Sequence, residues 1–304
     1  MSLNKSILLL GAGGLGMAML RALSPMASKN TTSLAILLRP ATIESQDPLK
    51  KQQIVDIRED ASIVPGDLVE NSEDELALLF APFHTVVGCT GYASGQNIQV
   101  KLARAVLKAG VSRYFPWQFG VDYEIIGRGS AQDLFDEQLD VRDMLRDQDR
   151  TEWVIVSTGM FTSFLFEPWF GVVDMAEHTV RALGDWDNAV TVTTPEDIGS
   201  ITAQILFAEP RLVNEVVYTA SDTVTYGRLA EIVEAVSGHQ VHKVRWSVPS
   251  MKKALAQDPQ DGIKKYRVVF GEGKGVSWSL EETFNHRKGI PVTGVEQWAR
   301  SSLS

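Results

Sequence analysis

Apolar residues along the chain fall into two alternating patterns. Unbroken runs at Ser6–Leu10, 34–38 and 85–87 predict short strands buried on both faces. Between and after them, apolar positions recur at helical spacing. The plainest case is Ile98, Leu102, Ala105, Val106 and Ala109, with Gly110 placed as a C-terminal stop. A strand is expected again over 111–115, ended by Pro116, then a helix over 131–149 and a buried strand over 153–156. This alternation predicts βαβ units and an α/β fold with a doubly wound parallel sheet.

The pattern is less regular further on. Residues 158–169 are dense in Phe, Trp, Met and Gly without a clean period, which suits either core or the wall of an apolar pocket. Residues 188–193 alternate as a strand, and Pro195 falls near the first turn of a helix opened by Thr194. A strand at 216–218 and a helix at 226–236 complete the regular part. There is no internal repeat and no linker, so two lobes are expected to interleave along the chain.

Composition narrows the class. A chain of 304 residues, 44% hydrophobic and 22% charged, can bury one large domain, or a large domain with a smaller lobe. A net charge of −9 argues against broad binding of nucleic acid or anionic membranes, and no nucleic-acid or membrane partner is expected. Cys89 is the only cysteine, so no internal disulfide can form and a reducing, cytoplasmic setting is expected. Without CxxC, and with His239 and His242 placed in a loop and His84, His178 and His286 isolated, no metal is assigned. Lys5 and the apolar run 7–20 have the outline of a short signal peptide, but four glycines inside that run form a phosphate-loop pattern instead.

That loop is Gly11-Ala12-Gly13-Gly14-Leu15-Gly16, directly after a strand and leading into a helix start. The first glycine permits the tight turn, the second lets backbone approach a pyrophosphate, and the third lets helix pack on strand. Helix N-terminal amides would meet the phosphate charge. Strand, loop and helix together are the context that gives the motif weight, and they predict an NAD(P)-binding Rossmann fold. The domain is expected to span 1–157 and to be rejoined by 188–222, with 158–187 and 223–304 forming a smaller α/β substrate lobe. At the end of the second strand an NAD enzyme would carry Asp or Glu. This chain has Arg39, whose guanidinium could grip a 2′-phosphate, with Lys50 as a second charge. NADPH is therefore the expected cofactor; the alternative is an ordinary exposed arginine at a strand end.

Further residues carry a resemblance. Arg113-Tyr114-Phe115-Pro116-Trp117-Gln118-Phe119-Gly120-Val121-Asp122 resembles the Arg-Phe-x-Pro-Ser-Glu-Phe-Gly stretch of the isoflavone reductase and phenylcoumaran benzylic ether reductase type, the NmrA-like atypical short-chain reductases. Gly66-Asp67-Leu68, Gln99, Thr158-Gly159-Met160-Phe161 and Glu196-Asp197-Ile198-Gly199 extend the likeness over nearly the whole length. The family usually has GxxGxxG, whereas the spacing here is closer to GxGxxG. The resemblance implies that Gly11, Gly13, Gly14, Leu15, Gly16, Arg39, Lys50, Thr90, Gly91, Gln99, Pro116, Trp117, Gln118, Phe119, Gly159 and Phe161 face the cofactor. Trp117, Phe161, Phe164 and Trp169 would face a small aromatic or apolar substrate, with Trp278 and Phe284 closing it from the C-terminal part.

The pattern breaks at one place. Reductases of this group use a lysine on the helix after the Pro-x-x-Phe-Gly segment; Gln138 stands at the matching position, and no lysine occurs between Lys108 and Lys243. Tyr-x-x-x-Lys is absent too, and so is the Gly-x-Ser-x-Gly elbow of hydrolases. Glutamine can donate hydrogen bonds but cannot transfer a proton. Three readings stay open: a substrate needing little acid help, such as a quinone, quinone methide or activated double bond; another acid, with Tyr123 as nominee and Asp122, Asp133 and Glu137 nearby; or cofactor binding without turnover. The acidic run 133–143 reads more readily as a solvated helix face. The resulting expectation is an NADPH-dependent reductase of an aromatic or conjugated molecule. Its rival is an NADP(H)-sensing regulator that binds a protein partner.

Overall fold

The computed structural model describes residues 5–92 and 95–303. The chain begins with β1 (Ser6–Leu10), α1 (Gly14–Lys29), β2 (Ser33–Leu38), a single turn α2 (Pro40–Ile43), α3 (Pro48–Asp60) and β3 (Ser62–Pro65). It continues with α4 (Glu73–Phe80), β4 (Thr85–Gly88), α5 (Ile98–Ala109), β5 (Arg113–Phe115), the turn α6 (Tyr123–Ile126), α7 (Leu134–Arg146) and β6 (Glu152–Ser157). Next come β7 (Met160–Phe161), β8 (Val173–Asp174), β9 (Thr179–Leu183), β10 (Ala189–Thr193), α8 (Pro195–Leu206), β11 (Glu215–Tyr218) and β12 (Asp222–Thr225). The last elements are α9 (Tyr226–Ser237), β13 (His242–Trp246), α10 (Val248–Gln257), α11 (Gly262–Glu272), α12 (Phe284–Lys288) and α13 (Val295–Ser302).

Two compact units interleave. The first holds the described residues up to Gln118, then Glu137–Val156 and Ile198–Val216; the second holds Phe119–Asp136, Ser157–Asp197 and the described residues from Val217 on. The first unit is organised on a seven-stranded sheet of order β11-β6-β5-β4-β1-β2-β3, and β1 to β6 pair in parallel. In β1, Leu8 and Leu10 join a buried cluster with Leu37, Phe80, Val86, Leu102, Val106, Tyr114 and Ile155, while Ile7 and Leu9 are equally buried. A run that is apolar at every position, rather than alternating, is what a sheet covered on both faces requires. Each such side chain contributes about 1.5–3 kcal/mol on burial.

The order 3-2-1-4-5-6 is that of a doubly wound dinucleotide-binding sheet. Because β1 lies between β2 and β4, crossovers leave it in opposite directions, and ligands of such sheets bind beyond the carboxyl ends of the strands at this switch point. The loop 11–16 and the segment after Gly88 stand at those ends.

The expectation of an α/β Rossmann-type sheet is borne out, with differences in detail. An extra strand, β3, precedes residues 85–88, making β4 the fourth strand; Ser-Ile-Val-Pro at a sheet edge is too short and too exposed to register as an apolar run. The helix expected over 131–149 is trimmed to Leu134–Arg146.

Residues 188–193, expected with the first domain, instead form β10, which pairs with β7 and β12 in a three-stranded sheet of the second unit. The segment rejoining the first unit is Ile198–Val216, where Gly199 is needed because a Cβ there would sit 2.7 Å from the Ala18 carbonyl oxygen. A second sheet, β13-β9-β8, completes the strands of this unit. Regular structure also continues past Ser237, contrary to expectation. Four of the five β13 residues are exposed, so no buried alternation marks that strand, and α10 and α11 start at Ser247 and Asp261 caps. Among the described residues, no helix is long and apolar enough to cross a membrane.

Candidate functional site

The loop after β1 is shaped by contacts that tolerate no side chain. Gly11 has φ +102°, and a Cβ there would lie 2.5 Å from Thr90 Oγ1, whose hydroxyl donates to the Leu10 carbonyl at 2.7 Å. At Gly16 a Cβ would lie 2.1 Å from the Gly11 carbonyl oxygen, so α1 packs directly on the loop. Gly13 and Gly14 differ: a Cβ at either meets nothing within 4 Å. Space is thus left open where a phosphate would approach the backbone.

The amino end of α1 fits such a ligand. Gly13 occupies its N-cap position without a side-chain cap, and its first turn holds no acidic residue. In contrast, Asp47 caps α3, and a Ser72–Glu75 capping box closes α4. The uncapped amides of α1 retain their partial positive charge for an anion. Gln53 Nε2 donates to the Ala12 carbonyl at 2.7 Å and pins the outer side of the loop. Cys89 lies beneath, buried, and burial pushes its thiol up to about 12, which leaves it an unreactive packing residue.

Arg39 ends β2 as the N-cap residue of α2, is exposed, and makes no ion pair or side-chain hydrogen bond with any described residue. Lys50 stands in the first turn of α3, exposed. Neither side chain pairs with a described residue, the condition a 2′-phosphate grip needs.

Beyond β4, Thr90 and Gly91 are half-buried. Trp117 covers this segment: a Cβ on Gly91 would meet the Trp117 ring at 2.6 Å, and Tyr92 packs edge-on against it at 4.8 Å. Gln99 is buried in the first turn of α5, its Nε2 donating to the Thr90 carbonyl at 2.8 Å while its Oε1 has no partner. The α5 amino end is capped from a distance. Asn97 adopts a left-handed conformation and gives no cap, and Glu137 of α7 accepts from the Gln99 and Val100 amides at 2.7 and 3.3 Å. Sequence reading missed this cap and placed Glu137 on a solvated face or as a spare acid. Asp133, Asp140 and Asp143 are exposed as expected, but Glu137 is buried. The local signal pointed elsewhere: Asn97, a residue type that commonly caps, directly precedes α5 but gives it no side-chain bond.

Next to Glu137, Gln138 is fully buried and neither atom of its amide has a hydrogen-bond partner. Its backbone carbonyl accepts from Gln118 Nε2 at 2.8 Å, and Gln118 Oε1 accepts from Arg142 Nε at 2.8 Å. Gln118 thus works as a brace between the turn after Pro116 and α7. Arg142, also fully buried, was not singled out from the sequence.

In the second unit, Phe119 is buried, and Tyr123 is buried edge-on against Phe135 at 5.0 Å. A Cβ on Gly120 would lie 2.3 Å from the Tyr123 hydroxyl oxygen, so only glycine leaves that hydroxyl room. Of the neighbouring acids, Asp122 caps α6 and accepts from the Tyr218 hydroxyl at 2.5 Å, and Asp133 pairs with Lys265 at 2.9 Å. Gly159 has φ +72°, and a Cβ there would strike the Thr191 carbonyl. After it, Phe161, Phe164, Trp169 and Phe170 form a ladder of edge-on rings 5.1–5.9 Å apart. Phe161 and Phe164 are half-buried, Trp169 is 45% exposed, and Phe170 is buried. Trp278 donates to the Thr219 carbonyl and packs on Tyr218, while Phe284 is core. His178, expected to be isolated, stacks on His239 at 4.5 Å. Among the described residues, no group of His, Cys, Asp and Glu could hold a metal.

The strand order, the switch point and the glycine loop on an uncapped helix define a Rossmann-fold protein with a dinucleotide-type phosphate loop. The chain belongs to the NmrA-like family, whose profile matches residues 3–296. It is 44% identical, over 98% of both chains, to an "NmrA-like family domain-containing oxidoreductase" of Gibberella moniliformis. Among solved structures it is similar to AtPrR2 with NADP+ and (+)pinoresinol (TM-score 0.79, 18% identity, 99% of each chain). It is also similar to an isoflavone reductase (TM-score 0.78, 18% identity, 98% of this chain and 99% of that one). The resemblance drawn from 113–122 is thereby borne out.

Proposed function

We propose that the chain is an NADPH-dependent reductase of an aromatic or conjugated small molecule. The observation that carries the cofactor is the loop 11–16, with open space over Gly13 and Gly14 and an uncapped α1 beside them. Gly11 to Gly16 would hold the pyrophosphate and Arg39, with Lys50, the 2′-phosphate. NADPH supplies a hydride when bound. The fungal relative named as an oxidoreductase supports turnover, and the neighbour solved with NADP+ and pinoresinol supports both the cofactor and an aromatic substrate. The ladder Phe161, Phe164 and Trp169 offers flat apolar surface with few polar anchors, which suits such a molecule.

Gln138 sets the chemical limit. Its amide, buried and uncommitted, can donate a hydrogen bond to an oxygen gaining negative charge, but it has no proton to give. Substrates whose reduced form is already a stable anion, such as quinones, quinone methides and activated double bonds, fit this site better than simple ketones. Tyr123 is the nominee if a proton donor is used.

The test is an NADPH titration followed by NADPH oxidation against quinones, enones, imines and benzylic ethers. Turnover of one class with bound NADPH is the expected result. Gln138→Ala should lower kcat at least tenfold, with NADPH affinity within about twofold of the parent; loss of cofactor binding would remove Gln138 from the reacting centre. One observation favours a second reading: no lysine lies between Lys108 and Lys243. Tight NADPH binding without oxidation of any compound would make the protein an NADP(H) sensor acting through a protein partner.

A further inference from the structure

Arg113 opens the segment that most resembles the family, yet it stands at the opposite end of the sheet from the phosphate loop. It lines a cavity of about 130 Å³ in the first unit, at the amino ends of β1, β4 and β5. The five residues of β1 alone put about 16 Å between this cavity and the loop. Four basic side chains border it, Lys5, His84, Arg113 and Arg211, and Glu209 is the one carboxylate among the lining residues. In a chain of net charge −9 such a concentration calls for a reason.

The charge is balanced only in part from within. Lys5 makes no ion pair with any described residue. Arg211 bonds Glu152. Arg113 is 3% exposed and spends its terminal nitrogens on two neutral acceptors, the carbonyls of Leu206 and Leu212 at 2.7 and 2.9 Å, while its buried Nε has no partner. A guanidinium buried on carbonyls keeps its full charge, and its uncommitted N–H is a donor awaiting an acceptor.

We propose that this cavity binds a small dianionic oxyanion, a phosphoryl group either free or as a monoester. Its volume is about four times the roughly 30 Å³ that a water occupies in the liquid, enough for one tetrahedral oxyanion. Lys5, Arg113 and Arg211 supply charge, and the half-buried His84 supplies a group that responds to occupancy. Burial pushes Arg113 down to about 10, and Arg211 adds to this against the opposing pull of Glu152. His84 is likewise lowered, by burial first and then by Arg211, Arg113 and Lys5, with Glu152 opposing. A bound dianion reverses the sign of that field and favours imidazolium. The site is independent of the reductase reading, since none of these residues is assigned to NADPH or substrate.

The measurement is the pH titration of the His84 imidazole by NMR in the full chain, with the resonance assigned through His84→Asn. Sulfate, a dianion over the whole range, is compared with chloride at equal ionic strength. A saturable rise in the His84 pKa of at least about half a unit in sulfate alone is expected, and Lys5→Glu, an exposed change, should weaken it tenfold or more. Identical titrations in sulfate and chloride would overturn the site, as would an unchanged response in Lys5→Glu. Inorganic phosphate and phenyl phosphate then separate the sources: the one saturating at lower concentration identifies the ligand as free or esterified.

Discussion

The phosphate loop and the buried polar cluster on α7 are built in opposite ways. In the loop the constraints are steric: Gly16 clears the Gly11 carbonyl five positions away, Gly11 clears the remote Thr90 hydroxyl, and a three-glycine spacing marks the shape. Around α7, Glu137 caps a helix that starts 39 positions earlier, and Gln118 braces a helix backbone 20 positions later. One region fails if a single atom is added, the other if a single charge or amide is lost. Steric demands leave a visible mark in the sequence as glycine, whereas buried polar partnerships leave none until the chain is folded.

The largest effect should come from the steric side. Gly16→Val forces a branched side chain onto a backbone oxygen that cannot retreat, costing about 1–3 kcal/mol or more in urea unfolding and abolishing NADPH binding. A variant that still binds NADPH within twofold would show that α1 can lift off the loop. Arg39→Glu comes next. It should weaken NADPH about 100-fold, in the range of a lost charge-assisted grip, and leave NADH nearly unchanged; equal losses for both would remove Arg39 from the 2′-phosphate.

On the polar side, Glu137→Gln keeps the shape and removes the charge from the α5 amino end. A loss of about 1–2 kcal/mol in unfolding free energy is expected, and hydrogen exchange of the first α5 amides should rise. No change would mean that neutral amide oxygen caps as well as carboxylate. The smallest effect concerns pH. His84 is held below the ordinary imidazole value of about 6.5, so above that pH both states are neutral and nothing is lost. As pH falls through 6.5, the unfolded chain takes up a proton that the folded chain resists, and stability declines until the folded pKa is passed. His84→Asn should flatten that slope, measured in chloride.

The same division explains what the sequence could tell. The runs of β1, β2 and β4, the glycine spacing of the loop and Gly110 as a stop were legible because each shows as a pattern within a few neighbouring positions. β3 escaped because a short edge strand needs no apolar run, and β13 because nearly all its residues are exposed. Residues 188–193 were recognised as a strand, but not the partners β7 and β12, since pairing is a property of the assembled sheet. In the candidate site, Arg39 could be ranked by its place at a strand end. The unpartnered amide of Gln138 and the remote cap by Glu137 could not, because burial and partner geometry come from contacts many positions away.

Arg39 has a consequence for the history open to this protein. Since its side chain bonds to no described residue, its replacement removes no contact from the fold, and preference for one dinucleotide over another is free to drift with a few surface substitutions. The grip on pyrophosphate has no such freedom, because every mutation at Gly11 or Gly16 must first survive as a fold. Selection can therefore retune which reducing pool the protein draws on long before it can change the class of molecule that carries the electrons.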